Sequence, residues 1–147
     1  MMKNRWDESS GIKFYKNDST MKKLLVLLFS ILISFNSYGE KWFDVSSDVD
    51  GTTYYLDGDS VKKNGGYVYH WEMEDLLKPD EYGIMSAKRY QQSDCGVNRY
   101  KILSLYVYYQ PMGRGTSQTI PLPNSEWKYP PPSSVAGLIL GAVCSLF

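Results

Sequence analysis

Tyr67-Val68-Tyr69-His70-Trp71-Glu72-Met73-Glu74 is the stretch on which the fold turns, because it alternates strictly in character. Successive side chains of an extended strand point to opposite faces, so Tyr67, Tyr69, Trp71 and Met73 share one face and Val68, His70, Glu72 and Glu74 the other. The expectation is a strand with one face on a core and the other mostly in water. Working outward, β-rich runs recur at Trp42 to Ser46, Thr52 to Asp57, Tyr67 to Leu76, Ile84 to Gln92 and Tyr100 to Tyr109. They are joined through Asp50-Gly51, Asn64-Gly65-Gly66, Lys78-Pro79-Asp80 and Cys95-Gly96, and Asn64-Gly65 offers the positive φ of a tight hairpin turn. A weaker sixth run lies near Thr116 to Ile120. The pattern predicts an α+β domain: an antiparallel sheet of five or six strands with a C-terminal α-helix packed on it.

The fifth run places Leu103, Leu105 and Val107 on one face and Ile102, Tyr106 and Tyr108 on the other, which reads as a central strand covered on both sides. The cover is expected from the C-terminus. Pro130-Pro131-Pro132 ends an extended segment, Ser133 or Ser134 can cap, and Val135, Leu138, Ile139, Ala142 and Val143 recur at helical spacing. At fifteen residues with two glycines, Ser133 to Phe147 falls short of the roughly 20 apolar residues that a membrane span needs.

The chain has 147 residues with 16 Lys plus Arg against 16 Asp plus Glu, one His and two Cys. Zero net charge removes the basic footprint of a nucleic-acid binder. Met21-Lys22-Lys23 followed by apolar Leu24 to Ile33, with Ser37 and Gly39 at the −3 and −1 positions, reads as a signal peptide over residues 21–39 cleaved after Gly39. An uncleaved anchor is the alternative, since Tyr38 is bulky for that position. No Cys stands near the cleavage point to take a lipid. Residues 1–20 are polar and aperiodic, which fits a start codon placed too early; a leader is the other reading. The mature part, residues 40–147, carries 10 basic against 13 acidic residues, a net charge of −3. An even pair of cysteines in an exported domain of this size is most economically one disulfide, Cys95 to Cys144, rather than two free thiols. Closing so long a loop contributes about 4 kcal/mol in the chain-entropy model.

Material for catalysis is thin. His70, Glu72 and Glu74 on one strand face could ligate a cation, but the polar outer face of an amphipathic strand has the same pattern. Asp48-Val49-Asp50-Gly51 and Asp57-Gly58-Asp59 lack the spacing and distal Glu of an EF-hand, and turn chemistry accounts for both. There is no nucleophile elbow, and Gly113-Arg114-Gly115 follows no phosphate-loop pattern, so no enzyme, metal or cofactor is expected. What stands out is a surplus of aromatics: eleven Tyr and three Trp in residues 40–147 exceed what one small core encloses. Tyr82, Tyr106, Tyr108 and Tyr109 are candidates for a contact patch, with Lys88, Arg89, Arg99 and Lys101 as a local basic group.

Read in order, Trp42 to Val45, Asp50 to Asp57, Ser60-Val61, Cys95 with Arg99-Tyr100, Pro111-Met112-Gly113, Trp127, and Pro131-Pro132-Ser133-Ser134 leading to Cys144 resemble the surface-adhesin protein E family. The resemblance spans nearly all of residues 40–147. It implies a six-stranded antiparallel sheet whose C-terminal helix is tied on by the disulfide, and a non-enzymatic domain exported to the periplasm or outer-membrane surface. It also implies a protein partner, of the kind represented by host matrix and plasma proteins. The other functional class is a small periplasmic inhibitor or immunity-type protein that binds an enzyme. A broad aromatic and basic face distinguishes the first, a protruding loop with convergent polar groups the second.

Overall fold

The computed structural model describes residues 19–20, 22–23, 26–27 and 40–147. The chain divides into two units, residues 1–39 and 40–147. In the first unit the six described residues are helical, and the rest of the expected leader and signal peptide lies outside the described residues. Among the described residues no helix is long and apolar enough to cross a membrane.

The second unit is built from β1 (Trp42–Ser47), β2 (Thr53–Asn64), β3 (Tyr67–Asp75), β4 (Ser86–Asp94), β5 (Arg99–Tyr108), β6 (Ser117–Ile120) and a terminal helix α1 (Val135–Cys144). The strands form one sheet in sequence order, each antiparallel to the next. Such a meander needs tight turns. The β2–β3 hairpin has positive φ at Gly65 and Gly66, one position later than the Asn64-Gly65 reading, with Asn64 still paired to Tyr67.

Bulges move two boundaries and one face. β2 does not stop at Asp57: its pairing with β3 breaks between Asp57 and Lys62 and then resumes to Asn64. Ser60 bridges the interruption, its Oγ donating to the Asp57 carbonyl at 2.7 Å and accepting from the Trp71 amide at 2.9 Å. In β5 the register slips opposite Tyr90/Gln91, so Ile102, Leu105 and Val107 share a face and Leu103 is left partly exposed. The expected alternation of Leu103 with Leu105 and Val107 fails because an extra residue reverses everything before it.

The apolar centre lies between one sheet face and α1. Leu56 and Val68 meet Ile139 and Val143, with Val45, Tyr54, Val61 and Val135 around them. Cys95 and Cys144 are joined, with Cα atoms 5.6 Å apart, and fix the end of α1 to the β4–β5 turn. Ser134 is the N-cap, its Oγ accepting from the Gly137 amide at 3.1 Å. The buried helix positions are Ile139, Leu140 and Val143, while Leu138 faces water, so the stripe is rotated by about one position from the sequence reading. This geometry overturns the assignment of a mostly wet face to Val68, His70, Glu72 and Glu74: it is the face that α1 covers, and Val68, His70 and Glu72 are buried. Polar side chains concealed the burial because a hydrophobic pattern cannot register a face that is closed by hydrogen bonds.

Candidate functional site

The face turned away from α1 carries a row of rings. Trp71 stands opposite Tyr90, Tyr69 opposite Gln92 and Lys88 opposite Tyr106, so strand alternation on β3, β4 and β5 brings these residues to one surface. Ring centroids are 6.2 Å apart for Tyr69 and Tyr90, 5.1 Å for Trp71 and Tyr90, and 5.9 Å for Trp71 and Tyr106. These separations fall in the attractive range for aromatic pairs and brace each half-buried ring against the next. The result is a firm platform with phenol and indole edges in water.

Cations close both ends of the row. At one end the Lys88 ammonium lies 5.3 Å from the Trp42 ring, 5.5 Å from Tyr108 and 2.5 Å from Glu40 Oε2. A recess of about 240 Å³ opens there, lined by Glu40, Trp71, Lys88, Tyr106, Tyr108 and Ser117. Gly113 is required beside it: its φ is +60°, and a Cβ would stand 2.2 Å from Lys88 Cε. At the other end Trp127 stacks on Tyr67 at 5.8 Å and receives Arg99 at 4.3 Å and Lys101 at 4.9 Å.

On the opposite face, beneath the first turn of α1, lies a polar cavity of about 400 Å³. Glu72 accepts from Gln91 Nε2 at 2.5 Å and pairs with His70 Nε2 at 3.0 Å; Arg89 is ion-paired with Glu74. Burial pulls the Arg89 guanidinium down, but Glu74 and then Glu72 outweigh it and hold Arg89 above its ordinary value. Tyr100 is raised, first by burial and then by Glu72, so its phenol stays protonated. Tyr54 is pushed up to about 12 by burial and by its hydrogen bond to Asp48 Oδ2 at 3.0 Å.

Several sequence candidates separate once folded. Tyr106 and Tyr108 lie on the ring platform, whereas Tyr109 follows on the other face, bonded to Gln118, and Tyr82 sits in the turn bounded by Asp80 and Gly83. The basic group divides too: Lys88 is on the platform, Arg89 points into the polar cavity, and Arg99 and Lys101 gather on Trp127. His70 and Gln91 are hydrogen-bonded to Glu72 while Glu74 is ion-paired with Arg89, and among the described residues no three His, Cys, Asp or Glu side chains group to hold a metal ion. Asp48 and Asp57 serve turns, each Oδ1 accepting a backbone amide two residues on. Trp42, Tyr69, Trp71 and Tyr90 were missing from the sequence candidates for the patch; the shared parity of Tyr69, Trp71 and Met73 was the available signal.

The sequence profile of the family described as Surface-adhesin protein E matches residues 42–145. No curated protein sequence matches closely enough to count as a relative. Crystal form II of Haemophilus influenzae protein E has a similar fold, with a TM-score of 0.60 at 13% identity over 76% of this chain and 92% of that one. The selenomethionine form of that protein gives 0.59 at 12% identity, covering 76% and 91%. Protein E from non-typeable Haemophilus influenzae gives 0.54 at 13% identity, covering 75% and 79%. At such identities the likeness is one of fold.

Proposed function

The chain belongs to the surface-adhesin protein E family, and from that premise we propose that residues 40–147 are an exported, non-enzymatic binding domain that engages a protein partner through the ring platform of its sheet. Host matrix and plasma proteins are the partner class that this reading favours, met at the cell surface after the signal peptide over residues 21–39 is removed. The observation that supports it most is the unbroken row Tyr69, Tyr90, Trp71 and Tyr106 with a cation against an aromatic ring at each end. Tyr and Trp supply contact area with a polar edge at low entropic cost, and such residues dominate interface energetics. A broad face of this kind, rather than a protruding polar loop, is the feature that separates adhesion from enzyme inhibition.

The test is binding of the purified domain to a panel of immobilised matrix and plasma proteins, beside Tyr90→Ala and Tyr106→Ala. Each substitution is expected to weaken a genuine interaction by about 2 kcal/mol, roughly thirtyfold. Protease shaving of intact cells carrying a C-terminally tagged copy sets the compartment. A tag that survives until the outer membrane is opened, or binding indifferent to both substitutions, would sink the reading.

A further inference from the structure

The end of the sheet that carries the β2–β3 and β4–β5 turns differs in charge from the rest of the domain. Strand pairing brings its cations into three adjacent rows. Lys62, Tyr69, Gln92 and Lys101 form one, Lys63, Val68, Ser93, Tyr100 and Lys128 the next, and Asp94 with Arg99 the last before the β4–β5 turn. At about 3.3 Å per residue, these five cations lie within roughly 10 Å of the turns. The negative charges beside them are Asp94, which Arg99 engages, Glu126 and the carboxylate of the last residue, Phe147. The remainder of residues 40–147 has five basic against eleven acidic residues. A domain whose side chains sum to −3 thus has one positive end.

Successive rows face opposite sides, so the cations form a collar. Lys62 and Lys101 share the ring-platform side with Tyr69, whereas Lys63 and Lys128 take the side that α1 covers. Inside the collar are apolar groups in water. Val97 stands in the β4–β5 turn, and the Cys95–Cys144 crosslink, with Cα atoms 5.6 Å apart, sets the end of α1 beside that turn. Leu146 and Phe147 follow directly, the Phe147 ring 5.9 Å from Lys63 Nζ. Val97, Leu146 and Phe147 are each more than half exposed. Isolated apolar side chains are ordinary on a protein surface, but three gathered at one end and ringed by cations mark a contact. Trp127 lies under Arg99 and Lys101, and the Tyr129 hydroxyl accepts from Arg99 at 3.3 Å. They add, at the same level, the two ring types favoured at a membrane–water boundary.

We propose that this end of the domain docks on an anionic lipid bilayer, with the strands standing on the membrane. Val97, Leu146 and Phe147 enter the boundary between headgroups and acyl chains, and the lysines meet headgroup phosphates. The depth fits, since an interfacial element sinks by about 5–10 Å, which is the span from the turns to the farthest lysine row. A soluble sulfated polysaccharide would answer to the cations alone and leave the apolar groups unused. Trp71, Tyr90 and Tyr106 lie farther from the turns than the lysine rows, so the ring platform stays clear of the lipid.

The test is sedimentation of the exported, purified protein with vesicles of phosphatidylcholine alone and of an equal mixture with phosphatidylglycerol. Binding is expected only to the mixed vesicles, and to weaken as salt rises. Lys62→Gln combined with Lys63→Gln should weaken it about thirtyfold at low salt, at roughly fivefold per lysine. Val97→Ser should weaken it roughly fivefold. Lys78→Gln, in the β3–β4 connection at the far end, should leave it unchanged, and all these exposed substitutions should keep the thermal midpoint. Equal sedimentation with both vesicles, indifference to the lysine pair, or an equal loss in the Lys78 variant would overturn the proposal. So would indifference to Val97→Ser with tight binding of heparin, which would give the end to a free polyanion. Tyr90→Ala is expected to leave vesicle binding intact, which keeps this outcome separate from that of the platform.

Discussion

Tyr54 links a turn to the core: its ring packs beside Leu56 and Val68, while its hydroxyl donates to Asp48, whose other oxygen accepts the Asp50 and Thr52 amides. Because the folded phenol is raised to about 12 against an ordinary 10, it is neutral in both states below pH 10. Between pH 10 and 12 the unfolded phenol ionises while the folded one does not, so stability falls as pH rises through that window. Tyr54→Phe is therefore expected to be about 1 kcal/mol less stable at pH 7 for want of the hydrogen bond. Its deficit should shrink between pH 10 and 12, as urea midpoints at pH 8 and 11 would show. At this scale the sequence was least legible. His70, Glu72 and Glu74 look like a wet strand face, and only the placement of α1 over them reveals a buried network. Their partners Gln91 and Arg89 come from another strand, and no local pattern couples such positions.

Within α1 two glycines with the same surroundings in sequence have opposite roles. A Cβ at Gly137 would stand 2.1 Å from the Pro131 carbonyl oxygen, whereas at Gly141 it would meet nothing within 4 Å. Gly137→Ala should cost about 1–3 kcal/mol, because the helix must lift from the Pro131-Pro132 backbone. Gly141→Ala should instead stabilise by up to about 1 kcal/mol through helix propensity. Thermal denaturation of the two variants side by side checks the contrast in sign. The existence and order of the elements could be read from alternation and turn residues, which are local. The prolongation of β2 to Asn64 and the bulge in β5 could not, since a bulge is set by the strand it pairs with.

At the scale of the folded domain the decisive quantity is how small the apolar core is: among the described residues the buried apolar cluster is Leu56, Val68, Ile139 and Val143, flanked by the disulfide, with Met73, Ala87, Val107 and Leu140 buried besides. A crosslink spanning 49 positions is worth about 4 kcal/mol in the chain-entropy model, a large share of the 5–15 kcal/mol typical of domains. Replacing both Cys95 and Cys144 by Ala is expected to lower the thermal midpoint by more than 10 °C, and reductant should do to the native protein what the double substitution does. An unchanged midpoint in both cases would mean that the sheet and helix hold without it. The architecture was legible because cysteines, prolines and strand periods agree on one arrangement. The ring platform was half legible, since composition announced surplus aromatics but only antiparallel register decides which of them meet.

The ion pair of Glu40 with Lys88 has a practical consequence. It holds the start of the domain on the ring platform, at the recess beside Trp71 and Tyr106. The last residue, Phe147, lies instead against Lys63, on the side that α1 covers. A carrier or surface linker attached ahead of Glu40 would thus crowd the platform, while one attached after Phe147 would present it outward. On a biosensor chip the two coupling chemistries should report different affinities for the same analyte, and the C-terminal one should report the tighter.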